Sequence, residues 1–233
     1  MAGNLNEAQD LYEKLWRQAV AAFEQRKPRL DPFLRDRAGD QRRGVTLIAR
    51  PDLEVVGRVA KFLREIAAAA PEQYYYQPAE FHVTVLSVIP VCDSWQKFRQ
   101  RLPEYLAALD TVLRNRGAFS IAFRGVTASP EAVMIQGFPV DNALKQVRDE
   151  LRAALSRRGL EENLDRRYRL VAAHLSVARF SAPMADWKPL HALLAAHRET
   201  DFGESRVRSL QLIENDWYAS ADTVRTLREY PLL

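Results

Sequence analysis

Phe81-His82-Val83-Thr84-Val85-Leu86 alternates like a half-buried strand, with an imidazole and a hydroxyl two residues apart and therefore on one face. The pattern returns as Ala173-His174-Leu175-Ser176-Val177-Ala178. The chain has 4 histidines, and two of them stand in these stretches. With apolar residues near half of an average composition and Ser plus Thr near an eighth, chance would place two of four histidines so in about 0.4% of chains. Sliding the sequence by the interval between His82 and His174 also pairs Tyr76 with Tyr168, Val85 with Val177, Trp95 with Trp187, Phe98 with Leu190 and Leu102 with Leu194. That agreement marks an internal duplication, which governs how the rest of the chain is read.

The segments around the two stretches repeat in order. Residues 44–50, built on Val45-Thr46-Leu47-Ile48 and closed by Pro51, read as a strand, and 53–69 read as a helix ended by Pro71. The first His strand covers 81–90, and 95–114 is a helix that Pro103 must kink or divide. Strands follow over 119–125 and 132–138, then a helix over 140–158 and the second His strand over 169–180. A short helix over 187–197 and strands over 206–213 and 223–233 complete the chain. This order predicts an α+β fold of two pseudo-symmetric lobes, duplicated β-α-β units with antiparallel sheets, whose His strands lie side by side at a cleft between them. Residues 6–26 form an amphipathic helix outside the duplication, expected to pack across the core, and 28–43 are a connector rich in Pro and charge. The expected organisation is 1–43 as N-terminal helix and connector, and 44–233 as the two-lobed domain with interleaved lobes.

At 233 residues and 47% hydrophobic content the chain can bury a sizeable core. Its formal charge of +4 comes from 34 basic and 30 acidic side chains, a balance that permits an anionic partner but not a dedicated duplex binder. A single cysteine, Cys92, excludes an internal disulfide and reads as a small buried apolar residue in a reducing compartment. The N-terminus lacks a charged-then-apolar signal, and no apolar run approaches a membrane span. A cytoplasmic protein without a membrane partner is expected, with a monomer favoured.

Two imidazoles facing one another near neutral pH can take opposite protonation states, one as base and one as acid. That pairing suits in-line phosphoryl transfer, with Thr84 and Ser176 donating hydrogen bonds to the non-bridging oxygens. A metal site is poorly supplied: the remaining histidines, His191 and His197, fall on a helix facing away, and there is one cysteine. A serine hydrolase lacks its Gly-x-Ser-x-Gly elbow. The second His strand is approached through Arg166, Arg167 and Arg169 and followed by Arg179, whereas the first is approached through Tyr74, Tyr75, Tyr76 and Glu80. Cations favour a neutral imidazole and a carboxylate favours a charged one, so His174 is expected as the base and His82 as the acid. Tyr76 and Tyr168, at equivalent places, are candidates to stack on a base or bond a phosphate, or to pack at the lobe edges.

His82-Val83-Thr84-Val85 and His174-Leu175-Ser176-Val177 together resemble the paired motifs of the 2H phosphoesterase superfamily, which includes 2′-5′ RNA ligase-like proteins and RNA 2′,3′-cyclic phosphodiesterases. The resemblance covers 44–233. It implies a two-lobed pseudo-symmetric fold, metal-independent chemistry without a cofactor, and catalytic roles for His82, Thr84, His174 and Ser176. Arg179 is similar to an Arg that members carry shortly after the second motif, although ideal alternation sets it on the face opposite His174 unless a bulge intervenes. The expected activity is hydrolysis of 2′,3′-cyclic phosphate or 2′-5′ phosphodiester bonds in RNA ends or small nucleotides. The alternatives are 2′-5′ RNA ligation and a non-catalytic nucleotide-binding module.

Overall fold

The apolar alternation of 44–50 and of both His stretches becomes the centre of one sheet. The structure, a computed structural model, describes residues 2–34, 37–162, 164–165 and 169–233. Its strands are β1 Arg43–Ala49, β2 Tyr74–Tyr75, β3 Val83–Cys92, β4 Phe119–Ala128, β5 Ala132–Pro139, β6 Leu175–Arg179, β7 Asp201–Val207, β8 Ser209–Asn215 and β9 Arg225–Pro231. The helices are α1 Ala2–Glu24, α2 Leu53–Ala69, α3 Gln96–Arg99, α4 Leu102–Leu113, α5 Ala143–Ser156 and α6 Lys188–Ala196. The strands pair antiparallel in the order β7-β4-β5-β6-β3-β1-β8-β9, with β2 added to β6.

This order is symmetric about its middle. β3 and β6 lie at the centre, β1 and β5 flank them, and β8 and β4 lie beyond. The units β1-α2-β3 and β5-α5-β6 are the two copies of the duplication, related by a pseudo-twofold between the His strands. The halves exchange strands: β4 follows the first copy in the chain but pairs with β5 of the second, and β8 follows the second but pairs with β1 of the first. Val45, Leu47, Val83, Val85, Leu175 and Val177 join Val59, Phe62 and Ile66 of α2 and Leu144, Val147 and Leu151 of α5 in one buried cluster. Each such side chain contributes about 1.5–3 kcal/mol by leaving water.

The helix over 95–114 is divided, as expected from Pro103, into α3 and α4, and Pro103 sits in the first turn of α4, where its missing N–H leaves no bond unmade. Two expectations change in detail. The strand expected over 206–213 is two strands, β7 and β8, which join opposite halves of the sheet through β4 and β1. The second His strand is regular only over Leu175–Arg179, so the residues leading to His174 run without a strand ladder.

Helix α1 packs within the chain. Ala8, Tyr12, Ala19 and Phe23 form its buried stripe, set against β4, β5 and α6. The Phe23 ring stacks on Trp187 at 5.4 Å and meets Phe180 edge-on at 5.6 Å. Among the described residues no helix is long and apolar enough to cross a membrane.

Candidate active site

His82 and His174 each stand immediately before their strand, and β3 and β6 pair antiparallel with Val83 opposite Leu175. Those two side chains are buried in the core, so their neighbours point to the other face. Continuing the register one residue each way sets His82 across from Ser176 and Thr84 across from His174. Directly opposed residues have Cβ atoms about 4.5–5.5 Å apart, and diagonal neighbours, the relation of His82 to His174, are about 7–8 Å apart at the backbone, near enough for long side chains to meet. Each motif's hydroxyl therefore stands beside the other motif's ring. All four side chains line one cleft of about 1630 Å³, together with Arg179 and Trp217. A face of α1 carrying Leu11, Leu15 and Gln18, adjacent to its buried stripe, forms one wall.

The two rings are held differently. His82 Nδ1 lies 2.7 Å from the carbonyl oxygen of Glu80, which can only accept, so Nδ1 carries the hydrogen and Nε2 is left to exchange a proton. His174 Nδ1 is buried and has no partner among the described residues. Burial is the largest influence on both and pushes each imidazole down to about 4. For His82 the Glu80 carbonyl opposes that shift, while Arg50 and Arg179 add to it. For His174 the added influences are Arg148, His82 and Arg179, all in the same direction.

The Glu80 carboxylate does not face His82, contrary to the expectation from its place in the sequence. Pro78–Glu80 is a 3₁₀ turn that folds the carboxylate back onto the amide of Gln77 at 2.7 Å, and its other oxygen accepts from Ala221 N at 3.1 Å. The backbone of Glu80, not its charge, serves the imidazole.

Arg179 does reach the cleft. The β5–β6 register shifts between Val133, opposite Ala178, and Met134, opposite Ser176, and this bulge turns Arg179 onto the side of the histidines. Its Nε donates to the Tyr76 hydroxyl at 2.8 Å, and its guanidinium lies 5.7 Å from the ring centres of both Trp217 and Tyr218. Tyr76 itself is buried, edge-on to Tyr74 at 5.2 Å, so it meets the cleft through its hydroxyl and not as an open ring face. Tyr168, with Arg166 and Arg167, lies outside the described residues.

His191 packs against Trp16 and Phe23, and His197 bonds Thr200 at 3.0 Å and Glu65 at 3.1 Å, both away from the cleft. Among the described residues no group of three or more His, Cys, Asp or Glu side chains is placed to hold a metal ion.

Three residues of the site were not singled out from the sequence. Arg50 donates to the carbonyls of Ala79 and Phe81 on the approach to His82, at 2.8 and 3.2 Å. Trp217 reads as part of the tail until β8 carries it to the cleft. Arg148 is buried on α5 and bonded to four backbone carbonyls. A signal for it exists: it falls on the apolar stripe of Leu144, Val147 and Leu151, where a charge is out of pattern.

A family model described as the 2'-5' RNA ligase superfamily matches residues 55–218. No curated protein matches the chain. Among solved structures, TT0787 of Thermus thermophilus is similar with a TM-score of 0.59 at 17% identity, covering 81% of this chain and 97% of its own. Escherichia coli LigT complexed with 3'-AMP gives 0.54 at 13% identity, covering 82% and 98%. LigT complexed with NADP+ gives 0.54 at 10% identity, covering 82% and 99%. At such identities the likeness is one of fold.

Proposed function

The chain belongs to the 2'-5' RNA ligase superfamily, and from that premise we propose that it is a metal-independent phosphodiesterase acting on 2′,3′-cyclic phosphate or 2′-5′ phosphodiester bonds in RNA ends or small nucleotides. The observation that carries this reading is the Val83–Leu175 pairing, which brings two His-x-hydroxyl motifs onto one face of one antiparallel strand pair. Nucleotide complexes of LigT, with 3'-AMP and with NADP+, support a nucleotide as substrate.

In the free protein both rings are neutral at pH 7, because burial holds them near 4. A bound phosphodiester anion raises both, as any adjacent negative charge does. His82 takes the proton first: its Nδ1–H already donates to the Glu80 carbonyl, which stabilises the imidazolium, whereas His174 Nδ1 has no such partner among the described residues. The division of labour is then His174 as base and His82 as acid. His174 removes a proton from the attacking water as its oxygen bonds phosphorus. On the opposite side the bond to the ribose oxygen breaks, and that oxygen receives the His82 proton. Thr84, Ser176 and Arg179 hold the non-bridging oxygens where charge develops, Tyr76 positions Arg179, and Trp217 offers a surface for the base. No step requires a cation.

The test is turnover, with EDTA present, of the four nucleoside 2′,3′-cyclic phosphates, 2′-5′ dinucleotides and RNA ended by a cyclic phosphate. Hydrolysis of at least one class is expected. Tight nucleotide binding without turnover would replace this reading with a binding module, and joining of a cyclic-phosphate end to a 5′-hydroxyl end would replace it with ligation.

A further inference from the structure

Strands β5 and β6 pair as far as Ile135 and Leu175, and the regular ladder stops one residue short of His174. Yet Ala172 and Ala173 are buried, and buried backbone groups need partners. Two side chains supply them. Tyr12 of α1, edge-on to Phe138 at 5.5 Å, places its hydroxyl between the segments: it accepts from Gly137 N at 3.1 Å and Ala173 N at 3.3 Å, and donates to Gly137 O at 3.0 Å. Arg148 of α5 donates to Val171 O at 3.0 Å and Ala172 O at 2.8 Å. The same guanidinium reaches Val85 O at 2.9 Å and Thr84 O at 2.8 Å in the first motif. Gly137 permits this packing, since a Cβ there would fall 2.0 Å from Ala173 O.

We propose that Tyr12 and Arg148 are positioning residues for His174, which fix the three residues before it and, through Arg148, its placement relative to Thr84 of the other motif. The His82 ring is oriented by its own bond to the Glu80 carbonyl. His174 Nδ1 has no such bond among the described residues, so the direction of its ring depends on the backbone beneath it. Tyr12 lies outside the residues matched by the family model, which makes α1 a contributor to the site in this chain and not an appendage. The inference rests on the reading of His174 as the base.

Tyr12→Phe keeps the ring and removes only the hydroxyl; Arg148→Lys keeps the charge but cannot span both motifs. Thr127→Val is the control, because it removes a buried bond to the Tyr12 carbonyl without touching Ala173. On a cyclic phosphate, at a temperature where all three are folded by circular dichroism, kcat should fall about tenfold for Tyr12→Phe and about a hundredfold for Arg148→Lys, as misplacement of a reacting group implies. KM should stay within about twofold. A nitrophenyl phosphodiester, whose leaving group needs no acid, should restore neither variant, matching His174→Ala, while it restores His82→Ala. Rates for both no lower than that of Thr127→Val would overturn the proposal. If Arg148→Lys does not fold, Tyr12→Phe decides the matter alone. If the wild type turns over no substrate, the proposed function falls, and positioning is read from the His174 ring resonances in the NMR spectrum. These should shift in Tyr12→Phe while those of His191 stay; unchanged His174 signals would overturn the proposal there too.

Discussion

Burial pushes both imidazoles down to about 4, so neither carries a proton at pH 7 in the free protein. The sign of the pH dependence follows. The proposed mechanism needs one ring charged and one neutral, so in the free protein the competent form grows as pH falls from 8 toward 5, and kcat/KM should rise over that range. The bound phosphate raises both rings, so kcat should have its optimum at higher pH than kcat/KM. Coincident profiles, measured on a nucleoside 2′,3′-cyclic phosphate, would contradict the electrostatics of the site. At this scale His82, Thr84, His174 and Ser176 were legible because period-two alternation forces each pair onto one face whatever the surroundings. Glu80 was misread for a physical reason: its position relative to His82 is plain, but the 3₁₀ turn that sends its carboxylate to Gln77 N and its carbonyl to His82 is a matter of backbone direction.

Element boundaries show the same division. Helix α1 was legible from its spacing of Tyr12, Ala19 and Phe23, and the structure gives that stripe a partner surface in β4, β5 and α6. Phe23, stacked on Trp187 and edge-on to Phe180, is buried, so Phe23→Ala should destabilise the protein by about 3–5 kcal/mol. Urea unfolding measures this, and a loss below about 1 kcal/mol would mean that α1 is only loosely attached. The β7–β8 boundary was not read, although the apolar alternation changes phase between Val207 and Leu210, because such a slip also fits a bulge within one strand, and only pairing with β4 on one side and β1 on the other separates the two. The bulge that turns Arg179 had a cue in the residue it must deliver, but its place opposite Val133 and Met134 depends on the neighbouring strand.

Exchange of β4 and β8 between the halves binds the two copies into one sheet, and it holds β3 and β6 together at the centre from both sides. The pseudo-twofold was legible from the repeat, because equivalent residues recur at one interval; the exchange was not, because nothing local tells a strand which copy it will join. Symmetry also explains why the cleft is divided in two, with each half supplying one imidazole and one hydroxyl; in the proposed function these four groups share one phosphate. A pair that acts as a unit has a kinetic signature: removing either member costs nearly as much as removing both. The decisive measurement is hydrolysis of a nucleoside 2′,3′-cyclic phosphate in excess EDTA by the wild type, His82→Ala, His174→Ala and the double variant. The wild type should be unaffected by the chelator, each single variant should lose about 10³-fold or more, and the double variant should be little worse than either single one. Activity lost in EDTA and restored by a divalent cation, or a single variant within about tenfold of the wild type, would contradict the two-histidine account.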